Sequence, residues 1–224
     1  MTTHPGKAYQ FRVFVRKVSP AIWRRIVLRD DQTVADLHDT LQVVFGWTDE
    51  FLHRFHIRSR TYAVPRLNGA EYTHSASETT LSALHLKPRE RFIYEYNFFV
   101  WWQVEIRFEK AVEREPERTY PFCVAGSRAG PLEDGNGPHD YLHLLSSTYH
   151  PALLLFRIRD IAVEYEGDEG GFRAELRHQF PELNYWLTAH QFDPHTVNQQ
   201  LHTIFENRRQ TDGDSSSDYG EASG

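Results

Sequence analysis

Residues 8–28 read AYQFRVFVRKVSPAIWRRIVL. In the first eleven, Tyr9, Phe11, Val13 and Val15 fall on one side of an extended chain. Gln10, Arg12 and Arg16 fall on the other, with Phe14 among them. Alternation with a period of two marks a half-buried strand. Ser19-Pro20 breaks it, and IWRRIVL at 22–28 supplies a second strand, antiparallel to the first. The period then changes. Val34, Leu37, Leu41, Val44 and Phe45 recur at helical spacing and predict a helix over 34–45. Thr33 with Asp36 three residues on resembles a capping box at its start, and Gly46 suits a left-handed stop. FLHRFHI at 51–57 returns to strand. Short hairpins with segregated helices predict an α+β fold with a mixed, mainly antiparallel sheet, and argue against a doubly wound parallel one. The ββαβ opening is β-grasp-like by analogy, with helices expected on one face of the sheet.

Working outward, residues 91–98 and 102–109 form two further alternating strands. Between them, Phe98-Phe99-Val100-Trp101-Trp102 carries no ordinary turn residue, so the aromatics are expected to fill core or to anchor a partner. Residues 58–90 are weakly patterned, with a strand expected near Tyr62 and a short helix around Thr80–Leu86. Residues 110–138 hold four prolines and four glycines and read as loop. Helices are expected from Asp140–Ser147, Phe172–Gln179 and after Asp193-Pro194, while 153–165 fits either strand or helix. The C-terminal part is therefore helical. One domain is expected over 8–209, between a flexible start at 1–7 and a disordered tail at 210–224 that lacks apolar content.

The chain has 224 residues, 40% hydrophobic and 25% charged, which excludes collagen-like, wholly disordered and disulfide-scaffold classes. Its single cysteine, Cys123, excludes an internal disulfide and a multi-cysteine metal knot. No run approaches a membrane span, and MTTHPGKAYQ lacks the apolar centre of a signal peptide, so a cytoplasmic protein without membrane contact is expected. Net charge is -6, unevenly spread: residues 1–66 hold 11 Lys+Arg against 6 Asp+Glu. A basic opening can attract phosphate.

Several segments together resemble the Ri-plasmid open-reading-frame-three family. They are PAIWRRIVL, TVADLHDTLQVVFGW at 33–47, LHRF at 52–55, CVAGSRAGPLEDGNG at 123–137, Tyr141, and FDPHTVNQQL at 192–201. The resemblance implies a small α+β domain common in bacteria, often on mobile DNA, with no established reaction. In the strand pair the family pattern runs Tyr-Asp-Phe-Gly-Asp, then Trp and His. Here it reads Tyr96-Asn97-Phe98-Phe99-Val100-Trp101-Trp102-Gln103-Val104, and Phe51 stands at a further histidine position. Groups that relatives could use for metal or proton transfer are thus absent at these positions. Phe and Val donate nothing to a cation, and neither a metal site nor a cofactor is expected.

Two readings follow. The first is a non-enzymatic binding module that meets protein or nucleic acid through its N-terminal sheet, using Arg12, Arg16, Arg24, Trp23 and Trp101. Arg24 and Arg25 point oppositely in a strand, so one patch cannot hold both. The second is a metal-assisted hydrolase or nuclease-like enzyme using His53, Glu133, Asp134 and His139. That reading requires these four groups to meet at one point. Glu133 and Asp134 lie in a turn-rich loop, where acids commonly bond backbone N–H groups instead. His139 and His143 would share a helix face, a spacing that also arises without metal.

Overall fold

The alternation of residues 8–18 becomes β1, Lys7–Val15, paired antiparallel with β2, Trp23–Arg29. The computed structural model describes residues 6–65 and 71–215. Phe11, Val13 and Val15 are buried while Arg12 is exposed. The helix α1, Val34–Phe45, has a full capping box: Asp36 N–H donates to Thr33 Oγ1 and Thr33 N–H to Asp36 Oδ2. Gly46 closes it at φ 73°. Then come β3 His53–Ile57, β4 Arg60–Ala63, β5 His74–Ser75, β6 Arg91–Tyr96, β7 Trp102–Glu113 and β8 Phe122–Ser127. The helical part comprises α2 Pro138–His143, α3 Pro151–Glu164, α4 Glu169–Thr188 and α5 Pro194–Ser215.

The sheet runs β5-β4-β3-β6-β7-β1-β2-β8, and every pairing is antiparallel except β4 with β5. The fold is α+β with a mixed, mostly antiparallel sheet and a helical C-terminal part, as read from the pattern. In chain order the opening is ββαβ, yet β7 and β6 stand between β1 and β3 in the sheet. One apolar cluster joins the inner face (Phe11, Val13, Ile26, Phe55, Tyr94, Val104) to helical residues such as Leu37, Leu41, Leu154, Trp186 and Leu201. Each of these fully buried large side chains contributes roughly 1.5–3 kcal/mol relative to exposure. Among the described residues, no helix is long and apolar enough to cross a membrane.

Three local differences have physical causes. β8 lies inside the stretch read as loop. Its Gly126 breaks the apolar alternation because the segment leading into α5 needs the space: a Cβ there would sit 2.5 Å from the Phe192 ring. The ambiguous 153–165 is helix, its entry set by Pro151 at the first helical position. The aromatic run is a true turn. Asn97 (φ 50°) and Trp101 (φ 57°) take left-handed conformations, leaving Phe99 93% exposed, while Trp102 is buried in the core and Val100 packs against it in part. Lys7 opens β1 and α5 runs to Ser215. The remainder of the expected flexible start and tail, 1–5 and 216–224, lies outside the described residues.

Candidate functional site: the open sheet face and the buried histidine pair

On the face away from the main core, strand register builds a row. Arg12 is opposite Arg25 on β2 and Arg107 on β7, and Arg107 is opposite Arg91 on β6. Neighbouring strands lie about 4.8 Å apart, so these four arginines span about 15 Å. Like charges directly opposed are destabilising, and the structure offsets only part of this. Glu109 takes Arg25 through two bonds of 2.8 and 3.0 Å, and Glu105 takes Arg91 at 3.2 Å. The Arg25 hydrogen bonds, Gln10 and the nearby Arg12 charge hold the Glu109 carboxyl below its usual range despite partial burial. Arg12 lies over the Trp23 ring, 4.8 Å from its centroid. Arg107 Nε is buried without a hydrogen-bond partner among the described residues.

At the end of this face stands Glu95, 6% exposed. It accepts from Arg54 at 2.8 Å, His56 at 2.9 Å, Trp101 Nε1 at 2.9 Å and Gln103 at 3.1 Å. Burial alone raises its pKa, but these four bonds outweigh it and bring the carboxyl to about 2. Glu95 thereby fixes Trp101, which is 47% exposed. Arg16 is half-buried and bonds Gln103 at 3.1 Å.

Arg24 does not belong to this surface, which corrects the expectation drawn from the basic strand. It is 1% exposed and points into the core side. Its guanidinium bonds the carbonyls of Val44 (2.7 Å), Trp23 (2.8 Å) and Ser127 (3.0 Å), and lies 3.8 Å from the Phe192 ring centroid. Burial pulls its pKa down to about 10. Strand parity decides the matter: Arg25 faces out, so Arg24 faces in.

On the inner face, α1 turns His38 toward β3, and the loop after Gly46 brings Asp49 back. His38 Nε2 is 3.0 Å from Asp49 Oδ1, and its Nδ1 is 2.8 Å from the Tyr94 hydroxyl. His53 stacks on His38 with ring centroids 3.5 Å apart and planes 13° from parallel. Ligand-capable atoms of His38, Asp49 and His53 all lie within 4.8 Å of one another. One side chain braces the group: Gln42 Nε2 donates to the Tyr94 hydroxyl at 2.8 Å, while Gln42 Oε1 accepts from Asp49 N–H at 3.0 Å.

The other residues of the enzyme reading sit elsewhere. Glu133 accepts from the Thr48 N–H at 2.6 Å and the Thr48 hydroxyl at 2.5 Å, and so clamps the loop that carries Asp49. Asp134 lines a neighbouring cleft of about 610 Å³ with Glu133, Thr48 and Glu50. His139 is 96% exposed at the start of α2, beside Asp140. Only His53 of the four joins a three-donor cluster among the described residues. Sequence reasoning missed His38, Asp49 and the full arginine row. His38 carried a faint signal, since it shares the buried side of α1 with Leu41 and Gln42.

Comparison with known proteins gives the lineage. The profile for the plasmid pRiA4b ORF-3-like protein family matches residues 7–153. The FDPHTVNQQL segment lies beyond that match. The uncharacterized protein y4hQ of Sinorhizobium fredii (strain NBRC 101917 / NGR234) is 27% identical over 147 residues, 64% of this chain and 74% of that protein. The crystal structure of the protein of unknown function MM3350 from Methanosarcina mazei Go1 is similar with a TM-score of 0.60 and 25% identity. It covers 86% of this chain and 98% of that one. The family match takes in the whole sheet, the arginine row and the histidine pair, and the chain belongs to the plasmid pRiA4b ORF-3-like family.

Proposed function

We propose that this chain is a non-enzymatic binding module whose open sheet face takes the phosphate backbone of a nucleic acid. The observation that carries the reading is the cross-strand row Arg25-Arg12-Arg107-Arg91. Guanidinium groups present planar forks matched to phosphate oxygens. A row of like charges costs stability unless an anion offsets it, so a bound polyanion relieves what the fold tolerates. The face as a whole opposes the chain's net charge of -6: Arg12, Arg16, Arg25, Arg54, Arg91 and Arg107 stand against Glu95, Glu105 and Glu109. The partly accessible rings of Trp23, two residues from Arg25, and Trp101, at the β6–β7 turn, lie toward one end of the same face and offer stacking surfaces, which favours single strands over duplex.

The test is fluorescence anisotropy with a labelled single-stranded oligonucleotide and its duplex across about 50–300 mM salt. Arg12 and Arg107, the two of the row that no glutamate takes among the described residues, predict a log–log salt slope of about -1.4 for the single strand, at about 0.7 per contact. The double variant Arg12→Ala/Arg107→Ala removes both and brings the slope close to zero. Absence of binding at low salt, or an unchanged slope in the double variant, overturns the reading.

A further inference from the structure

We propose that His38, Asp49 and His53 form a site for one divalent first-row transition-metal ion of the zinc class. This stands apart from the arginine face and does not depend on it. The donor set is two imidazoles and a carboxylate, which suits zinc and its neighbours and not calcium or magnesium, which prefer all-oxygen shells. The donors come from three elements that the fold holds separately. α1 carries His38, locked by its capping box; β3 carries His53 on its inward face; the intervening loop carries Asp49. That loop is not slack. Asp49 holds a left-handed φ of 61°, its N–H is tied to Gln42, and the adjacent Thr48 is clamped by Glu133. The Asp49 side chain is 33% exposed, which gives an ion a route in, while both histidines are nearly sealed.

The surroundings fit ligation as well. Metal-binding histidines generally have their second ring nitrogen hydrogen-bonded, which sets tautomer and orientation. Here His38 Nδ1 meets the Tyr94 hydroxyl at 2.8 Å, and Gln42 holds Tyr94 in turn. In the ion-free site neutral His38 donates Nε2–H to Asp49 and accepts from the Tyr94 hydroxyl at Nδ1; with Nε2 turned to the ion the ring proton passes to Nδ1 and that second bond reverses, the Tyr94 oxygen accepting it. No net proton need be lost. The His38–Asp49 hydrogen bond is then exchanged for two bonds to metal.

The ring stack dictates a movement. Imidazole lone pairs lie in the ring plane, and an ion cannot lie in two planes that are nearly parallel and 3.5 Å apart. One ring must therefore rotate when the ion enters, and the stack is what loading breaks. Three protein donors leave a position for water, the donor count of catalytic zinc sites rather than of closed structural ones.

The experiment uses the full chain, stripped with chelator and then equilibrated with zinc. Metal content is read by mass spectrometry, and cobalt(II) substitution is read by visible absorption. About one ion per chain is expected, together with a zinc-dependent rise in Tm and a changed pair of histidine ring signals by NMR. Asp49→Asn keeps the shape and still accepts from a His38 Nε2–H, so it should fold, yet bind zinc about 100-fold more weakly. His53→Asn is read independently, with the same loss expected, so that one unfolded variant leaves the other to decide. Failure of the wild-type chain to take up zinc or cobalt overturns the proposal. So does a folded variant of either kind that binds zinc as tightly as wild type.

Discussion

Glu95→Gln isolates the most heavily bonded group on the open face. Wild-type Glu95 accepts four hydrogen bonds, from Arg54, His56, Trp101 and Gln103. Glutamine keeps one oxygen, loses the charge, and turns an NH2 toward donors that need an acceptor. The magnitude follows from the pKa. The carboxyl is brought from the ordinary 4.5 to about 2. At 1.36 kcal/mol per pH unit that would be about 3 kcal/mol, and solvent screening on an open face reduces it to about 2 kcal/mol. The sign is set by linkage: a folded-state pKa held below the unfolded value stabilises fully above the unfolded pKa, and that stabilisation drains away as pH falls toward the folded one. The variant should therefore be about 2 kcal/mol less stable near pH 7, with the gap shrinking by half or more near pH 3. Urea unfolding followed by tryptophan fluorescence at both pH values is the assay, and Trp101 reports on the site itself. A gap below about 0.5 kcal/mol near pH 7, or one that is the same at both pH values, would refute the reasoning.

Two further outcomes follow from the packing. Gly130→Ala drives a Cβ to 1.8 Å from the Phe45 carbonyl oxygen, a backbone atom that cannot swing aside. A loss of about 3 kcal/mol is expected, a Tm drop of roughly 6–12 °C by differential scanning calorimetry, and an unchanged Tm would contradict the close approach. Cys123 is 2% exposed, and burial pushes its thiol up to about 11. Maleimide labelling at about pH 8 should be negligible in the folded protein and complete in urea, whereas rapid native labelling would mean that β8 opens readily.

Much of the fold was legible because it rests on local chemistry. The period-two runs around Phe11 and Tyr94, the Thr33–Asp36 capping box and Gly46 each act within a few residues, and each recurs in the structure as read. β8 was not legible, because Gly126 answers to Phe192, a residue more than sixty positions away. The aromatic turn was misjudged in the same way. Asn97 accepts a left-handed backbone and its side chain bonds Phe99 N–H and the Glu133 carbonyl, so that of the run Trp102 is buried in the core while Phe99 and Trp101 stay exposed.

The candidate sites divide along the same line. From the chain alone came the class of fold, the strand parity that sends Arg24 and Arg25 to opposite faces, and the excess of arginine in the opening strands. Pairing alone decided the rest. β7 inserts between β1 and β6 and brings Arg107 and Arg91 into line with Arg12 and Arg25. The packing of α1 over β3 and β6 presses His38 against His53 and Tyr94. The reason is one of range: periodicity and capping are settled among neighbours in sequence, whereas register and helix docking depend on the burial of the whole apolar face at once.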